Sequence, residues 1–397
     1  MWPRVAILRG RAAAVATLVI ALGAAGCSAS RAVSTSQAGA FGNDADDLDA
    51  ASLALAAERS ADALEHAAPR THAIGGRLYT TADLAASARR VAAIARSQPD
   101  PLRLTQQLAS QCTAVRASDT AKVTAYYEPV LAARHHPDKR FRYPVYRLPS
   151  ASQMDNLRRR LGHVPTRADI DGRLVLRGLG LELAWVDDPV ARFFLHVQGS
   201  GRLEFDRGDR TRVGFAGSNG LGYRSVGSLM LERGLLERDD AGAPAMRAWL
   251  TAHPGQRDAL LAHNPRYVFF RDTGRDGPIG ALGTTLVAGR SIASDERHVP
   301  RGILAWLRTT RPVVDRDGKS QGKRPLTRFV FAQDAGAAIE GPARVDLFWG
   351  SGEKAGLEAG SMNETGELSL LICDRAQAAA PASAAVRHDR WSQRPRP

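Results

Sequence analysis

The stretch from Tyr267 to Cys373 constrains the fold most. It holds six short runs rich in β-branched, aromatic and leucine side chains: Tyr267 to Phe270, Gly283 to Val287, Ile303 to Arg308, Thr327 to Phe331, Val345 to Phe348 and Leu368 to Cys373. Runs this short, broken by Gly, Pro and Asp, predict strands rather than helices. Short strands in such succession bury a shared core by closing into a barrel or stacking as a sandwich.

Upstream the pattern is mixed. Val123 to Tyr127 and Tyr143 to Tyr146 are β-rich, with a polar loop from Arg134 to Arg140 between them. Leu174 to Leu176, Leu181 to Val186 and Phe193 to Val197 read as further strands. Helices are expected from Thr81 to about Arg96, from Pro101 to about Cys112, over 224–233 closed by Gly234, and over 244–262 interrupted by Pro254. Residues 46–66 are Ala-rich and suit a helix with a weak core signal. With 397 residues the chain has room for two cores. It shows no internal repeat and no Gly-rich phosphate loop.

The first 27 residues read as an export signal. Arg4, Arg9 and Arg11 precede an apolar run, Ala12 to Ala25, which is too short to span a bilayer comfortably. The run ends Ala24-Ala25-Gly26-Cys27, which resembles the bacterial lipobox and makes Cys27 the expected lipidation site. Ser28 in place of Asp points to the outer membrane, so the expected location is its periplasmic face, with several acyl chains as the anchor. Export leaves Cys112 and Cys373 in an oxidising compartment, either bridged or as buried thiols. The formal charge of +13 favours a polyanionic partner. Nucleic acid is a poor fit, because no Lys/Arg run is interleaved with aromatics and no zinc spacing occurs.

Familiar catalytic patterns are missing. There is no G-x-S-x-G elbow, no H-E-x-x-H and no Cys–His signature. His135-His136 sits in a polar turn, and Asp315 to Gly322 lacks the distal Glu of a calcium loop and reads as a hairpin turn. What remains is a set of aspartates: Asp295 in Gly289-Arg-Ser-Ile-Ala-Ser-Asp295, Asp334 in Phe331-Ala-Gln-Asp334-Ala-Gly336, and Asp346 in Arg344-Val-Asp346-Leu-Phe-Trp-Gly350. By spacing alone, Asp295 and Asp334 could cap turns and Asp346 could face solvent from a strand. Equally, a carboxylate between apolar neighbours must enter a cleft or find a donor.

These motifs, in this order, resemble the three-aspartate (3D) domain of the membrane-bound lytic transglycosylase A family. Upstream, Thr124-Ala-Tyr-Tyr-Glu-Pro129, Tyr143-Pro-Val-Tyr-Arg147, His196-Val-Gln-Gly-Ser-Gly201, Tyr223-Arg-Ser-Val-Gly227 and Asn264-Pro-Arg-Tyr-Val-Phe-Phe270 are similar to the same family's segments. The resemblance covers about residues 123–373. It implies a mainly β chain: a double-psi β-barrel (75–130 and 266–374), an inserted β-rich domain (131–265), a groove between them, and N-terminal helices. Residues 1–27 would be the signal, 28–74 a tether of low order, and 375–397 a disordered tail.

It also implies cleavage of peptidoglycan between N-acetylmuramic acid and N-acetylglucosamine, with closure of a 1,6-anhydro ring and no cofactor or metal. Asp346 is then the acid and subsequently the base, supported by Asp334 and Asp295. Like charge from both supporters and the apolar neighbours Val345, Leu347 and Phe348 should raise its pKa. Tyr127, Glu128, Gln198, Gly199, Ser200 and Tyr223, with Trp349, are the expected glycan contacts. Expected partners are glycan strands, the outer membrane and wall-synthesis proteins. The chain departs from the family pattern at Glu128 (Thr), Ala337 (Gly), Glu340 (Lys) and Phe348 (Tyr). Glu128 opens a rival reading, a hydrolase pairing it with Asp346. A non-catalytic wall-binding lipoprotein is another, and a purely structural scaffold a third.

Overall fold

The computed structural model describes residues 44–237, 242–274, 277–316 and 318–373. Cys27, residues 28–43 of the expected tether and the chain beyond Cys373 lie outside them. Helix α1 (Ala50–Glu65) starts at Asp49, whose side chain accepts the Ser52 N–H. A hairpin of β1 (Thr71–Ile74) and β2 (Arg77–Thr80) leads into α2 (Thr81–Ser97), opened by a reciprocal capping box between Thr80 and Asp83. Asp100 caps α3 (Pro101–Gln111), with Pro at its first turn.

The chain then enters β3 (Thr113–Glu128), β4 (Val130–Arg134), β5 (Tyr143–Tyr146), α4 (Ala151–Leu161), β6 (Glu182–Val186), α5 (Pro189–Gln198), β7 (Ser200–Glu204) and β8 (Arg210–Ser218). Helices α6 (Val226–Glu232), α7 (Ala243–Ala252) and α8 (Pro254–Ala262) precede β9 (Val268–Gly274). The last part comprises β10 (Ser291–Ser294), β11 (Leu304–Val314), β12 (Ser320–Asp334), β13 (Arg344–Ser351), α9 (Glu353–Gly360) and β14 (Asn363–Ile372).

Six strands close a barrel in the order β10-β12-β11-β14-β3-β13. The pairs β10–β12 and β13–β3 are parallel and the other four antiparallel, the mixed arrangement of a double-psi barrel. Its interior is filled by Val123, Ile292, Leu307, Val330, Val345, Leu347 and Leu370. A second six-stranded sheet, β5-β6-β4-β7-β8-β9, forms the inserted part. The chain passes from one sheet to the other at Pro129, which separates β3 from β4 and has no N–H for either ladder.

The region before the barrel departs from expectation. Helix α1 lies inside the segment read as a low-order tether, yet Leu53, Ala56, Ala57 and Ala61 are fully buried. They pack with Val91 and Leu104 of α2 and α3 on Trp306, Phe329 and Phe331 of the barrel. Ala-rich faces give little hydrophobic signal per residue but let helices approach closely. The barrel itself begins at Thr113, so residues 75–112 are hairpin and helices outside it.

Three predicted strands are also corrected. Phe193 to Val197 lies in α5, which Asp188 caps and Pro189 opens; a five-residue apolar run does not separate buried helix from strand. Leu174 to Leu176 forms turns, with Leu174 at φ 56°. Gly283 to Val287 is a turn region closed by an isolated bridge between Ile279 and Thr285. The strand of this part is β10, whose Ser-Ile-Ala-Ser sequence is wholly buried. Cys112 and Cys373 form a disulfide joining the end of α3 to the end of β14.

The N-terminal segment is anchored most deeply by the Arg290 guanidinium, with Arg328 on Asp47 and Arg308 on Asp44 nearer the surface. Arg290 donates to both Asp46 carboxylate oxygens (2.6 and 2.8 Å), to the carbonyls of Phe329 (2.8 Å) and Asp49 (2.9 Å), and to Ser52 Oγ (3.0 Å). Both Arg290 and Asp46 side chains are fully buried. A buried charge pair contributes modestly when intact, but removing one partner strands the other. Asp46→Ala is therefore expected to lower stability by about 3–5 kcal/mol in chemical denaturation, with a loss under about 1 kcal/mol contradicting this anchoring.

Candidate active site

The parallel register of β13 on β3 sets Asp346 beside Thr124. Thr124 Oγ1 donates to Asp346 Oδ1 at 2.7 Å. Behind them Tyr126, Leu286, Ala293, Ile339 and Phe348 make an apolar floor, with the Tyr126 and Phe348 rings 5.3 Å apart. Burial in this wall pushes the Asp346 carboxyl up to about 6, helped by the charge of Asp334; the Thr124 hydrogen bond and the Arg344 charge pull the other way.

Asp334, at the end of β12, is held differently. Tyr126 OH donates to its Oδ2 (2.7 Å), and the Ala281 and Ala335 N–H groups donate to Oδ1 (2.9 Å each). Burial raises its pKa, while these three donors act against the rise. The Tyr126 hydroxyl is itself pushed well up by burial and by the charge of Asp334, so it stays protonated and remains a donor.

Asp334 and Asp346 line one cavity of about 300 Å³ between barrel and insert. The barrel contributes Thr124, Tyr126, Arg344 and Met362; the insert contributes Phe194, Val197, Gln198 and Met246. A second hollow of about 380 Å³ shares Tyr127, Phe194 and Ala243 with it and extends the groove past Arg247 and Glu353. Larger hollows on the insert sheet (about 700 Å³) and between α1 and α2 (about 1030 Å³) hold none of Asp295, Asp334 and Asp346.

Several expected site residues take other places. Asp295 is buried but lies outside the cavity, clasped by Arg297 (2.6 Å) and by the Gly341 N–H (2.8 Å). These bonds hold its carboxyl well below the usual range, and its charge is not among the influences on Asp346. It ties down the loop after Asp334 rather than tuning Asp346.

Glu128 is likewise no groove residue. It is fully buried, accepting from Arg212 Nε (2.9 Å) and Ser351 Oγ (2.6 Å). A carboxylate so engaged cannot serve as a second catalytic acid or a glycan contact. Tyr223 is exposed and lines neither groove cavity. Trp349 leans on the barrel core and donates to Glu358 (2.5 Å). Ser200 pairs with Gly214 in the sheet.

Tyr127 and Gln198 do line the cavity, joined by a bond from the Tyr127 N–H to Gln198 Oε1 (3.0 Å). Gly199 ends α5 in the left-handed region (φ 76°), where a side chain would be strained, and so turns Gln198 into the groove. Sequence reasoning missed Thr124, Tyr126, Arg344 and Phe194. Strand periodicity held the signal for three of them: Thr124 and Tyr126 alternate on β3 as Arg344 and Asp346 do on β13.

A mixed six-stranded barrel with an inserted sheet and a raised carboxyl in the cleft between them defines a barrel-and-insert class of protein with an acid-bearing cleft. Residues 122–271 match the MltA specific insert domain and residues 290–372 the 3D domain. The chain belongs to the membrane-bound lytic murein transglycosylase A family.

It is 34% identical over 262 residues to the membrane-bound lytic murein transglycosylase A of Vibrio cholerae, a match covering 65% of this chain and 67% of that protein. Against the Escherichia coli protein it is 35% identical over 251 residues, covering 62% and 64%. The matched segment thus spans about two thirds of these relatives' length. A crystal structure of a membrane-bound lytic murein transglycosylase from Agrobacterium tumefaciens superposes with TM-score 0.67 at 34% identity, covering 81% of this chain and 92% of that one. The E. coli MltA structure with bound chitohexaose gives 0.66 at 27% identity, covering 85% and 94%.

A folded-state pKa of about 6 against an unfolded value of 3.8 makes Asp346 a liability once it ionises. The folded protein is penalised fully above about pH 6 and not at all below the unfolded value. Asp346→Asn is therefore expected to stabilise the fold by up to about 3 kcal/mol at pH 7.5, a gain that falls below about 1 kcal/mol at pH 4. Denaturation curves at both pH values would contradict this if the difference between variant and parent were the same at each.

Proposed function

We propose that this chain is a lytic transglycosylase that cleaves the β-1,4 bond between N-acetylmuramic acid and N-acetylglucosamine in peptidoglycan. The observation that carries the reading is the Asp346 carboxyl in the groove wall, which burial raises to about 6, so that a fraction of it stays protonated near neutral pH. The names of its relatives and the chitohexaose bound by the E. coli protein support a glycan in the groove.

Because Thr124 donates to Oδ1, the acid proton resides on Oδ2. Asp346 gives that proton to the glycosidic oxygen as the bond to C1 breaks. Asp334, whose three donors favour its ionised form, faces the developing positive charge of the oxocarbenium. The muramoyl C6 hydroxyl then closes on C1 and its proton passes to Asp346, restoring the acid. No water is consumed, so one acid–base residue suffices.

The hydrolytic rival needs a second carboxylate to activate water. Glu128 is withdrawn into its ion pair, and Asp334 is occupied by three donors. We also place the protein on the periplasmic face of the outer membrane through acyl chains on Cys27. Its relatives are named membrane-bound, and no helix among the described residues is long and apolar enough to cross a membrane.

Digestion of purified sacculi is expected to release 1,6-anhydro-muropeptides, lighter by one water than hydrolytic products. Asp346→Asn should slow release roughly 100- to 10,000-fold. Because the free enzyme must be protonated at Asp346, kcat/KM should decline about tenfold per pH unit above about 6. Hydrated reducing ends by mass spectrometry, or undiminished digestion by the variant, would overturn the proposal.

A further inference from the structure

Arg344 stands two residues before Asp346 on β13 and lines the same cavity. Its Nη2 donates to Thr124 Oγ1 at 3.4 Å, the hydroxyl that in turn donates to Asp346. Its Nε is buried with no hydrogen-bond partner, and among the described residues Arg344 forms no ion pair. A guanidinium carries five donors, and leaving one of them buried and unmade is costly. Such a group in a cleft wall is poised for an anion that the protein itself does not supply.

The surrounding charges do not remove the need. Lys122 on β3 stands opposite Arg344 in the register and adds positive charge. Asp346 and Asp334 supply the negative charge of the cavity, but the first has to carry a proton and the second is bound by its own donors. The spacing is also suggestive. Residues i and i+2 of a strand stand about 6.6 Å apart, on the scale of one pyranose ring. The 3-O-lactyl arm of a ring held with its C1 at Asp346 is long enough to span that gap to Arg344.

We propose that Arg344 is the specificity-determining residue that reads the carboxylate carried on the 3-O-lactyl substituent of the muramoyl ring. That carboxylate is either the lactyl group's own or that of the first acidic residue in the attached peptide. The contact sets a muramoyl ring, rather than a glucosamine ring, with its C1 against Asp346. The inference rests on the glycan-cleaving reading above. It has a second consequence: an anion paired with Arg344 neutralises the charge that pulls on the Asp346 proton, so the right substrate makes the acid easier to protonate.

The test is calorimetric binding by the full chain carrying Asp346→Asn, which prevents turnover, with and without Arg344→Gln. Three ligands serve: chitohexaose, which has no lactyl group; glycan strands stripped of peptide, with a free lactyl carboxylate; and strands with peptides attached. Arg344→Gln should weaken binding of lactyl-bearing strands by about tenfold or more while changing chitohexaose less than about twofold, and Arg344→Lys should restore part of the loss. Loss confined to stripped strands assigns the lactyl carboxylate, and loss confined to peptide-bearing strands assigns the peptide's. Equal loss on all three ligands, or none on any, overturns the proposal. Failure of the Asp346→Asn protein to bind any of the three would instead overturn the glycan reading.

Discussion

The parallel pairing of β13 with β3 is the constraint from which the site follows. It places Asp346 level with Thr124, and a slip of β13 by one residue would turn Asp346 to the opposite face of the barrel wall from Thr124. The barrel is closed, so this register is fixed from both sides: β3 also pairs with β14, and β13 with β10. Strand β3 then runs through Pro129 directly into the insert. One continuous strand therefore carries the partner of the acid, the tyrosine that orients the second aspartate, and the crossing to the opposite side of the groove. The position of the acid relative to the insert is consequently a property of the backbone ladder, not of flexible side chains.

Charge pairs away from the chemistry serve this geometry. Glu128 ends β3 where the family pattern has Thr, and a carboxylate there would be costly if left alone. Arg212 from β8 in the insert and Ser351 from β13 in the barrel both bond to it, and its carbonyl accepts the Gly352 N–H (3.0 Å). The substitution thus becomes a clasp across the crossing point. Asp295 acts similarly on the loop after Asp334, and Arg290 on the N-terminal segment. In each case a buried carboxylate is held by an arginine and by further hydrogen bonds, the condition under which such pairs hold a defined geometry.

The barrel and the aspartate proposed as the acid were legible from the sequence because they rest on local signals: short apolar runs and three aspartates in recognisable surroundings. Other features were hidden for physical reasons. The Ser-Ile-Ala-Ser strand β10 is buried by closure of the barrel, which no window of four residues can express. The Ala face of α1 becomes core only because α2 and the barrel lie against it. Phe193 to Val197 suits a strand or a buried helix equally, and the Asp188-Pro189 cap decides it. The fates of Asp295 and Glu128 depend on Arg297 and Arg212, one near in sequence and one far, and neither pairing follows from composition.

The two aspartates of the cavity show how one environment gives two chemistries. Both are raised by burial, and each feels the other or its neighbours, so their protons belong to a coupled set. What separates them is the count of donors. Asp334 receives three, from a tyrosine and two backbone amides whose positions the fold fixes; Asp346 receives one, from Thr124. Each added donor favours the ionised form, so a proton shared between the two resides on Asp346. The difference between the two carboxyls is thus set by where the backbone of residues 281 and 335 and the hydroxyl of Tyr126 point. The Arg344 charge then limits how firmly Asp346 holds its proton, leaving a group able to give the proton away in one step and take one back in the next.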